Sequence, residues 1–486
     1  VMSLLTTSDW HGKIHTGTWT AGSGGTIEVI EPATGSSLGT VGAATRDDAL
    51  AAATRAAAAQ QEWARTKPEV RAAVLRRAGQ LFEEHAEEIQ GWIVRETGGI
   101  GAKAGLETHV AANECFDASA LPAHPAGDVL TSNEDRWSFA RRRPAGVVSV
   151  ISPFNFPLIL SIRSVAPALA LGNAVLLKPD PRTTVSGGVV IMRVFEEAGL
   201  PAGLLQLLPG GTDVGQALVE APEVRVISFT GSTAAGRKVG EAAGRLLKRA
   251  HLELGGNNAL IVLPGADLDL AASAGAFGSF LHQGQICMTT GRHLVHESLA
   301  EDYTSRLADK ARNLPVGDPA SGQVALGPII DERQRDNIDR LVREAKDAGA
   351  QIAAGGTYEG LFYSPTVLTG LTPENPAWTR EIFGPVAPVL SFSTIEEAIA
   401  LTNASEYALS VGILGDVGLA MEVADRVVSG KVHINEQTVS DEANSPFGGM
   451  GASGTGSRFG GAAANIDAFT EIQWLTVRPK IAPYPF

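Results

Sequence analysis

The sequence predicts an α/β protein built from two doubly wound domains, each a largely parallel sheet covered by helices on both faces. Three observations predict it. The chain has 486 residues, more than one ordinary core organises. Short, almost wholly apolar runs of strand length recur along it, the pattern of strands buried on both faces. Helical stretches alternate with those runs, and right-handed crossovers turn such alternation into a doubly wound sheet.

The elements follow in order. Thr45 to Arg65 predicts a helix, because Thr45 can cap it, Asp47 and Asp48 suit its first turn, and alanines fill its body. Pro68 opens a second, longer helix through Arg71, Leu75, Leu81, Ile89 and Ile93, closing near Gly98-Gly99. From Pro144 the alternation begins. Val147 to Ile151, Ala174 to Leu177, Leu204 to Leu208, Arg225 to Phe229 and Leu252 to Leu254 read as strands. Ile162 to Leu171, Val185 to Ala198, Val214 to Glu220 and Ala234 to Leu247 read as the helices between them. A second set starts at Ala259 to Leu263 and continues through Leu268 to Leu281, His293 to Val295 and Leu299 to Leu307. It resumes at Glu332 to Ala348, Ala387 to Phe392, Ile395 to Thr402, Ser410 to Leu414 and Lys431 to Ile434.

These patterns divide the chain. Residues 1–128 and 144–254 form a first domain and residues 255–445 a second, with the boundary at Gly255-Gly256. Val129 to Arg143 and Phe469 to Val477 fit neither. They read as strands of an arm (129–143 with 465–486) that pairs with another segment or subunit, or as a plain hairpin and tail.

Composition narrows the partners. Hydrophobic residues at 44% and charged residues at 19% suit a soluble globular protein. A net charge of -14 argues against nucleic acid, which needs a basic face, and against an anionic membrane surface. Cys115 and Cys287 are the two cysteines, too few for a disulfide framework, and no residues cluster with metal-ligand spacing. Val1 to Trp10 lacks a basic and an apolar region and is not read as a signal peptide, so a reducing cytoplasm is expected.

Two stretches carry the chemistry. Cys287 lies in Gln283-Gly284-Gln285-Ile286-Cys287, a polar helix–loop junction. It reads either as an inert buried thiol or as a nucleophile whose pKa a nearby backbone N–H lowers. Glu253 ends an apolar strand before Gly255-Gly256 and reads either as a structural ion-pair partner or as a general base raised by burial. A cleft between the domains would set the two on facing lips. Asn155, in Pro153-Phe154-Asn155-Phe156-Pro157, follows the first strand, where its amide could meet an oxyanion or simply shape a turn. Lys178-Pro179 follows the next strand, placing a lysine for a ribose or phosphate, or for solvent. Phe229 to Gly236 is a strand, a glycine turn and a helix start, fit to hold a pyrophosphate at the helix terminus, although its glycine spacing is not the usual fingerprint. Cys115, mid-helix, reads as structural.

Together these motifs resemble the aldehyde dehydrogenase superfamily over essentially the whole chain. The carriers are Pro153 to Pro157, Lys178-Pro179, Phe229 to Ser232, Leu252 to Gly256, Gly284 to Cys287, Glu381 to Pro385 and Pro446 to Gly449. The resemblance implies an aldehyde dehydrogenase-like fold with cofactor domain, catalytic domain and small β oligomerisation arm. It implies NAD(P)-dependent oxidation of an aldehyde to its acid, with Cys287 as nucleophile and Glu253 as base for hydrolysis. Asn155 and the Cys287 amide would form the oxyanion hole. Lys178 would bind the adenosine ribose, Ser232 the pyrophosphate and Glu381 the nicotinamide ribose, with Phe383 beside it. Ser152, Phe154, Gly231 and Gly255 complete the implied cofactor site. A homodimer or homotetramer is implied.

One departure concerns the cofactor. Pro181, in Lys178-Pro179-Asp180-Pro181-Arg182, stands where the family commonly has a glutamate gripping the ribose hydroxyls. Asp180 could favour NAD and Arg182 NADP, so dual use is expected. Gly430 to Val439, Asp441-Glu442 and the Asp180 to Thr183 turn resemble the benzaldehyde, vanillin and salicylaldehyde dehydrogenase group. Phe156, Leu160, Ile286, Met288 and Phe447 are then candidate walls of a flat pocket, or plain core. Aliphatic or semialdehyde substrates are the alternative. A coenzyme A-acylating enzyme is disfavoured by the retained Glu253, and a non-catalytic binding protein by the retained Cys287 and Asn155.

Overall fold

The structure is a computed structural model that describes residues 3–486. Val1 and Met2, at the head of the segment not read as a signal peptide, lie outside the described residues.

Two seven-stranded sheets organise the chain. The first orders its strands Arg249–Glu253, Val224–Thr230, Val147–Ile151, Ala174–Lys178, Leu205–Leu207, Lys13–His15 and Trp19–Ala21. The five inner strands run parallel, and the N-terminal hairpin closes one edge antiparallel. The second orders Gln351–Ala354, Thr366–Thr369, Val386–Phe392, Thr290–His296, Asn258–Val262, Ser410–Leu414 and Lys431–Ile434, with only Gln351–Ala354 antiparallel. Ala174–Lys178, Asn258–Val262 and Ser410–Leu414 are buried at every residue and Val147–Ile151 at all but its last, as a sheet covered on both faces requires.

The parallel register positions the site. Ile151 pairs with Lys178, Phe229 with Ile151 and Thr230 with Glu253. Three carboxyl-terminal strand ends therefore deliver the 152–156 loop, Lys178 and Glu253 to one edge, where doubly wound sheets bind ligands. From the second sheet the opposite, amino-terminal edge takes part: Cys287 lies just before Thr290–His296, whose first residue pairs with Asn258.

The arm is a three-stranded antiparallel sheet of Thr470–Val477, Trp137–Pro144 and Gly127–Val129. Thr470 pairs with Pro144 and Val477 with Trp137.

The structure corrects two helices. The long helix expected from Pro68 is two, Pro68–Glu84 and Ala86–Thr97, separated at His85 (φ −109°, ψ 19°). No proline or glycine marks the break. Glu88, one turn beyond it, accepts the N–H groups of Leu4 and Leu5 at 2.9 and 3.0 Å and ties down the chain's start. The stretch from Val185 opens with a π-helical turn, Val185–Val189, before Val190–Glu197. There the buried Glu96 carboxylate accepts from Val185 N–H at 2.8 Å and Ser186 N–H at 2.6 Å, satisfying donors that a helix start leaves open. The hairpin Lys13–Ala21 escaped the sequence reading because its strands are three residues each.

Candidate active site

The loop after Val147–Ile151 is held from behind. Glu107 accepts from Leu158 N–H at 2.9 Å and Ile159 N–H at 3.3 Å, capping Pro157–Ala170. Its other oxygen binds Lys103 at 2.5 Å, and both side chains are fully buried. The Lys103 ammonium lies 4.6 Å from the Phe156 ring centroid. With the loop so anchored, Asn155 Nδ2 donates to the Gln285 carbonyl at 2.9 Å, two residues before Cys287. One amide hydrogen fixes Asn155 to the cysteine loop, and its amide nitrogen carries a second. Neither Lys103 nor Glu107 was singled out from sequence. Their only signal is an i, i+4 charge pair in an otherwise apolar helical stretch.

The cysteine loop is strained. His282 (φ 50°), Gln283 (φ 59°) and Gly284 (φ 67°) take left-handed conformations in succession. Such conformations in non-glycine residues cost on the order of 1–3 kcal/mol each. Only glycine fits at 284, since a Cβ there would lie 2.0 Å from the Gly384 carbonyl oxygen. Gln283 Nε2 offsets the strain by donating to the Gly98 and Pro328 carbonyls at 3.1 and 2.9 Å. Asn258 Nδ2 donates to the carbonyls of Cys287 and Thr289, both at 2.8 Å.

Gly255-Gly256 brings the remaining groups together. Gly256 N–H donates to Glu381 Oε1 at 3.0 Å. A Cβ at 255 would lie 2.3 Å from Glu381 Oε2, and one at 256 would lie 2.3 Å from the Cys287 carbonyl oxygen. Glu253 is buried, and neither of its oxygens makes a hydrogen bond of normal geometry. Burial pushes it well above the ordinary carboxylate range, against the weaker pull of Arg163, Arg458, the Gly449 N–H and Lys431. Among the described residues no salt bridge pairs Glu253. Glu381 rises to about 7, again through burial, with the Gly256 N–H opposing.

The expected lowering of the Cys287 thiol is reversed. The residue is half-buried, yet burial first, then Glu381 and Glu253, push its pKa up to about 12. The glycine-rich context showed a backbone donor but not the two carboxylates beyond it. Cys115 is buried and raised well above its ordinary value by burial, as befits a structural thiol.

The cofactor candidates lie on the first sheet's edge. Lys178 is buried rather than solvated, its Nζ 3.5 Å from the Pro179 carbonyl. Burial lowers its pKa while Asp180 and Asp213 oppose. Ser232 caps Thr233–Arg245 by accepting from Ala235 N–H at 3.3 Å, and a Cβ at Gly231 would lie 2.7 Å from the Phe229 ring, so only glycine fits that turn. Ser152 accepts from the Ser161 hydroxyl at 2.6 Å. Phe154 meets Phe383 (φ 55°) edge to face at 6.0 Å. A buried lysine, a helix start that follows a glycine turn and a weakly satisfied buried carboxylate fit the phosphates and riboses of a dinucleotide. Arg182 is already engaged. It pairs with Asp180 through two bonds of 2.9 and 2.8 Å, with Asp331 at 2.7 Å, and stacks 4.3 Å from the Phe154 ring.

Beside Cys287 lies one apolar cluster of Val110, Phe156, Ile159, Leu160, Ile286, Met288, Leu409 and Phe447, with Leu281 and Val439 against it. All five candidate pocket walls fall in it.

Comparison with known proteins matches the aldehyde dehydrogenase family over residues 19–475. The chain belongs to that family, oxidoreductases that convert aldehydes to acids. It is 64% identical to a vanillin dehydrogenase of Amycolatopsis sp., covering 100% of both chains. The salicylaldehyde dehydrogenase of Pseudomonas putida G7, solved with salicylaldehyde, is 34% identical with a TM-score of 0.93, covering 98% of this chain and 99% of that one. The betaine aldehyde dehydrogenase of Staphylococcus aureus, solved with NAD+, is 28% identical with a TM-score of 0.95, covering 99% and 98%. Among the described residues no helix is long and apolar enough to cross a membrane.

Proposed function

We propose that this chain oxidises an aromatic aldehyde to its carboxylic acid with NAD(P), through a thioester on Cys287. The observation that carries this reading is the meeting of Cys287, Glu253 and Asn155 beside one apolar, aromatic-lined cluster. The vanillin and salicylaldehyde relatives support the aromatic class. Cys287 gives its proton to solvent water and its sulfur adds to the carbonyl carbon, whose π electrons move onto the oxygen. The second Asn155 N–H and the Cys287 amide receive the resulting oxyanion. The bound nicotinamide supplies a hydride acceptor. As hydride leaves carbon, the carbonyl re-forms as a thioester. Glu253, deprotonated for this step, takes a proton from water as its oxygen attacks the thioester, and the leaving Cys287 sulfur takes that proton back as the acid is freed. Cys287→Ala is expected to abolish NAD(P)-dependent oxidation of benzaldehyde and vanillin. Retained activity refutes the nucleophile.

We assign the cofactor to residues 1–128 and 144–254, with Lys178, Ser232 and the 229–236 turn at the adenosine ribose and pyrophosphate. Glu381 and Phe383 take the nicotinamide ribose, and Ser152, Phe154, Gly231 and Gly255 shape its passage. Residues 255–445 carry the catalytic cysteine. Both NAD and NADP are used, because Pro181 accepts no ribose bond while Asp180 and Arg182 neutralise one another. A kcat/KM ratio between the two cofactors of many thousand, either way, refutes dual use. The arm (129–143, 465–486) joins subunits. Val129, Trp137, Ile472 and Trp474, all 62–69% exposed, are an unusually apolar surface for a free sheet. Unpaired cysteines suit a reducing, cytoplasmic setting.

A further inference from the structure

The apolar cluster ends on charges that the cycle above does not use. Two cations face the Phe447 ring: the Arg163 guanidinium 4.6 Å from its centroid and Lys431 Nζ at 4.7 Å. Arg163 binds Asp441 through Nη2 and lies 3.6 Å from Glu114. Lys431 donates to the Ser440 carbonyl and stands 4.0 Å from Asp441 Oδ1, beyond hydrogen-bond reach. Its Nζ is 3.2 Å from the sulfur of Met288, the residue after Cys287. The charges of Arg163 and Lys431 reach both Cys287 and Glu253, so this group lies close to the reacting atoms.

The pairing is incomplete. Arg163 Nη1, a donor, and Asp441 Oδ1, an acceptor, are buried and have no hydrogen-bond partner. The Arg163 side chain is 5% exposed and that of Asp441 19%. Buried polar groups normally find partners, and a donor and an acceptor left open on one ion pair are complementary to one hydroxyl, which both donates and accepts.

We propose that Arg163 and Asp441 recognise a phenolic hydroxyl on the ring of the substrate, which donates to Asp441 Oδ1 and accepts from Arg163 Nη1. This rests on the aromatic-aldehyde reading and narrows it to hydroxybenzaldehydes. The ring lies against Phe447 and Met288 with its formyl carbon at Cys287. A methyl ether keeps the oxygen but loses the proton, and leaves Asp441 Oδ1 unpaired.

The test compares kcat/KM for benzaldehyde, the three hydroxybenzaldehyde isomers and their methoxy counterparts. In the unaltered protein at least one hydroxy isomer is preferred to its methoxy counterpart by about tenfold or more, because a site built for a hydroxyl leaves its own groups unpaired with an analogue that lacks one. In Asp441→Asn the amide oxygen stays on Arg163 and places N–H where Oδ1 stood. The hydroxybenzaldehyde-to-benzaldehyde ratio then falls about tenfold or more. Equal losses on both substrates make Asp441 a purely structural ion-pair partner and overturn the proposal. So does indifference of the unaltered protein to the hydroxyl, a measurement that needs no variant to fold. Turnover of benzaldehyde without hydroxyl preference defeats this inference alone. Turnover of aliphatic aldehydes with none of benzaldehydes defeats the aromatic reading beneath it.

Discussion

Gly256→Ala tests whether the backbone beside Cys287, and not only its side chain, is part of the machinery. A Cβ at 256 would stand 2.3 Å from the Cys287 carbonyl oxygen, where ordinary contact begins at 3.4 Å. The two must separate by about 1.1 Å, and the obstacle is backbone, which has no rotamer to escape into. The same carbonyl is held by Asn258 Nδ2 at 2.8 Å, so its displacement also strains that bond. Gly256 has no positive φ, so alanine adds no conformational strain of its own. A displacement of about 1 Å at a reacting group costs roughly 10²-fold in rate, or about 2.7 kcal/mol. The assay is stopped-flow appearance of reduced cofactor under single-turnover conditions. The expected result is a rate of thioester formation about 100-fold lower, with cofactor affinity changed much less. Gly91→Ala, on an open helix face with nothing within 4 Å of its added methyl, is the control and keeps full activity. A Gly256→Ala burst rate within threefold of the unaltered protein would refute the close approach.

Glu253→Gln is expected to form the thioester and then stall, giving one burst of reduced cofactor per site and steady turnover lower by about 10²–10⁴. Undiminished steady turnover excludes Glu253 as the base. Cys287 should react with a neutral alkylating agent at a rate still climbing through pH 10, because its thiol is pushed up to about 12 by burial, Glu381 and Glu253. A plateau below pH 8 contradicts that environment. Glu114 is raised to about 8, by burial above all, with Arg163 opposing. From pH 4.5 to 8 the unfolded chain loses this proton while the folded chain keeps it, so stability falls as pH rises through that window. Glu114→Gln removes the effect. Thermal melts should show its stability relative to the unaltered protein improving by up to a few kcal/mol between pH 5 and 8, and parallel profiles would count against it.

What was legible in the sequence is what local pattern dictates. Apolar runs such as Val147 to Ile151 announce the strands. Because parallel strands present their carboxyl ends on one edge, the residues that follow them, Asn155, Lys178 and Glu253, could be assigned to one rim before any coordinate was known. Illegible residues act through packing between distant segments. Glu107 caps a helix that begins 50 residues later, and Glu96 caps a turn 89 residues away. Arg163 meets Asp441 across 278 residues. No periodicity encodes such meetings. His282 and Gln283 were hidden for another reason: neither favours a left-handed backbone, and only contacts from Gly98, Pro328 and Gly384 impose it.

The reversed thiol pKa follows from the same logic and bears on mechanism. A backbone N–H is local to the chain and can be read beside Cys287. The opposing carboxylates arrive from the first sheet's edge and from the 381–385 loop, joined by the Gly255-Gly256 turn. Near neutral pH the protein's own groups thus favour Cys287 as a thiol, and burial favours the protonated form of Glu253. Proximity of the two does not by itself make a nucleophile. The positive charges within reach, Lys431 and Arg163, oppose burial only weakly at Cys287, and Asp441 offsets them in part. An oxidised nicotinamide, if bound beside Cys287, would bring a positive charge of the sign that favours the thiolate. A thiol kept neutral until then is shielded from alkylation and oxidation, which act on the thiolate.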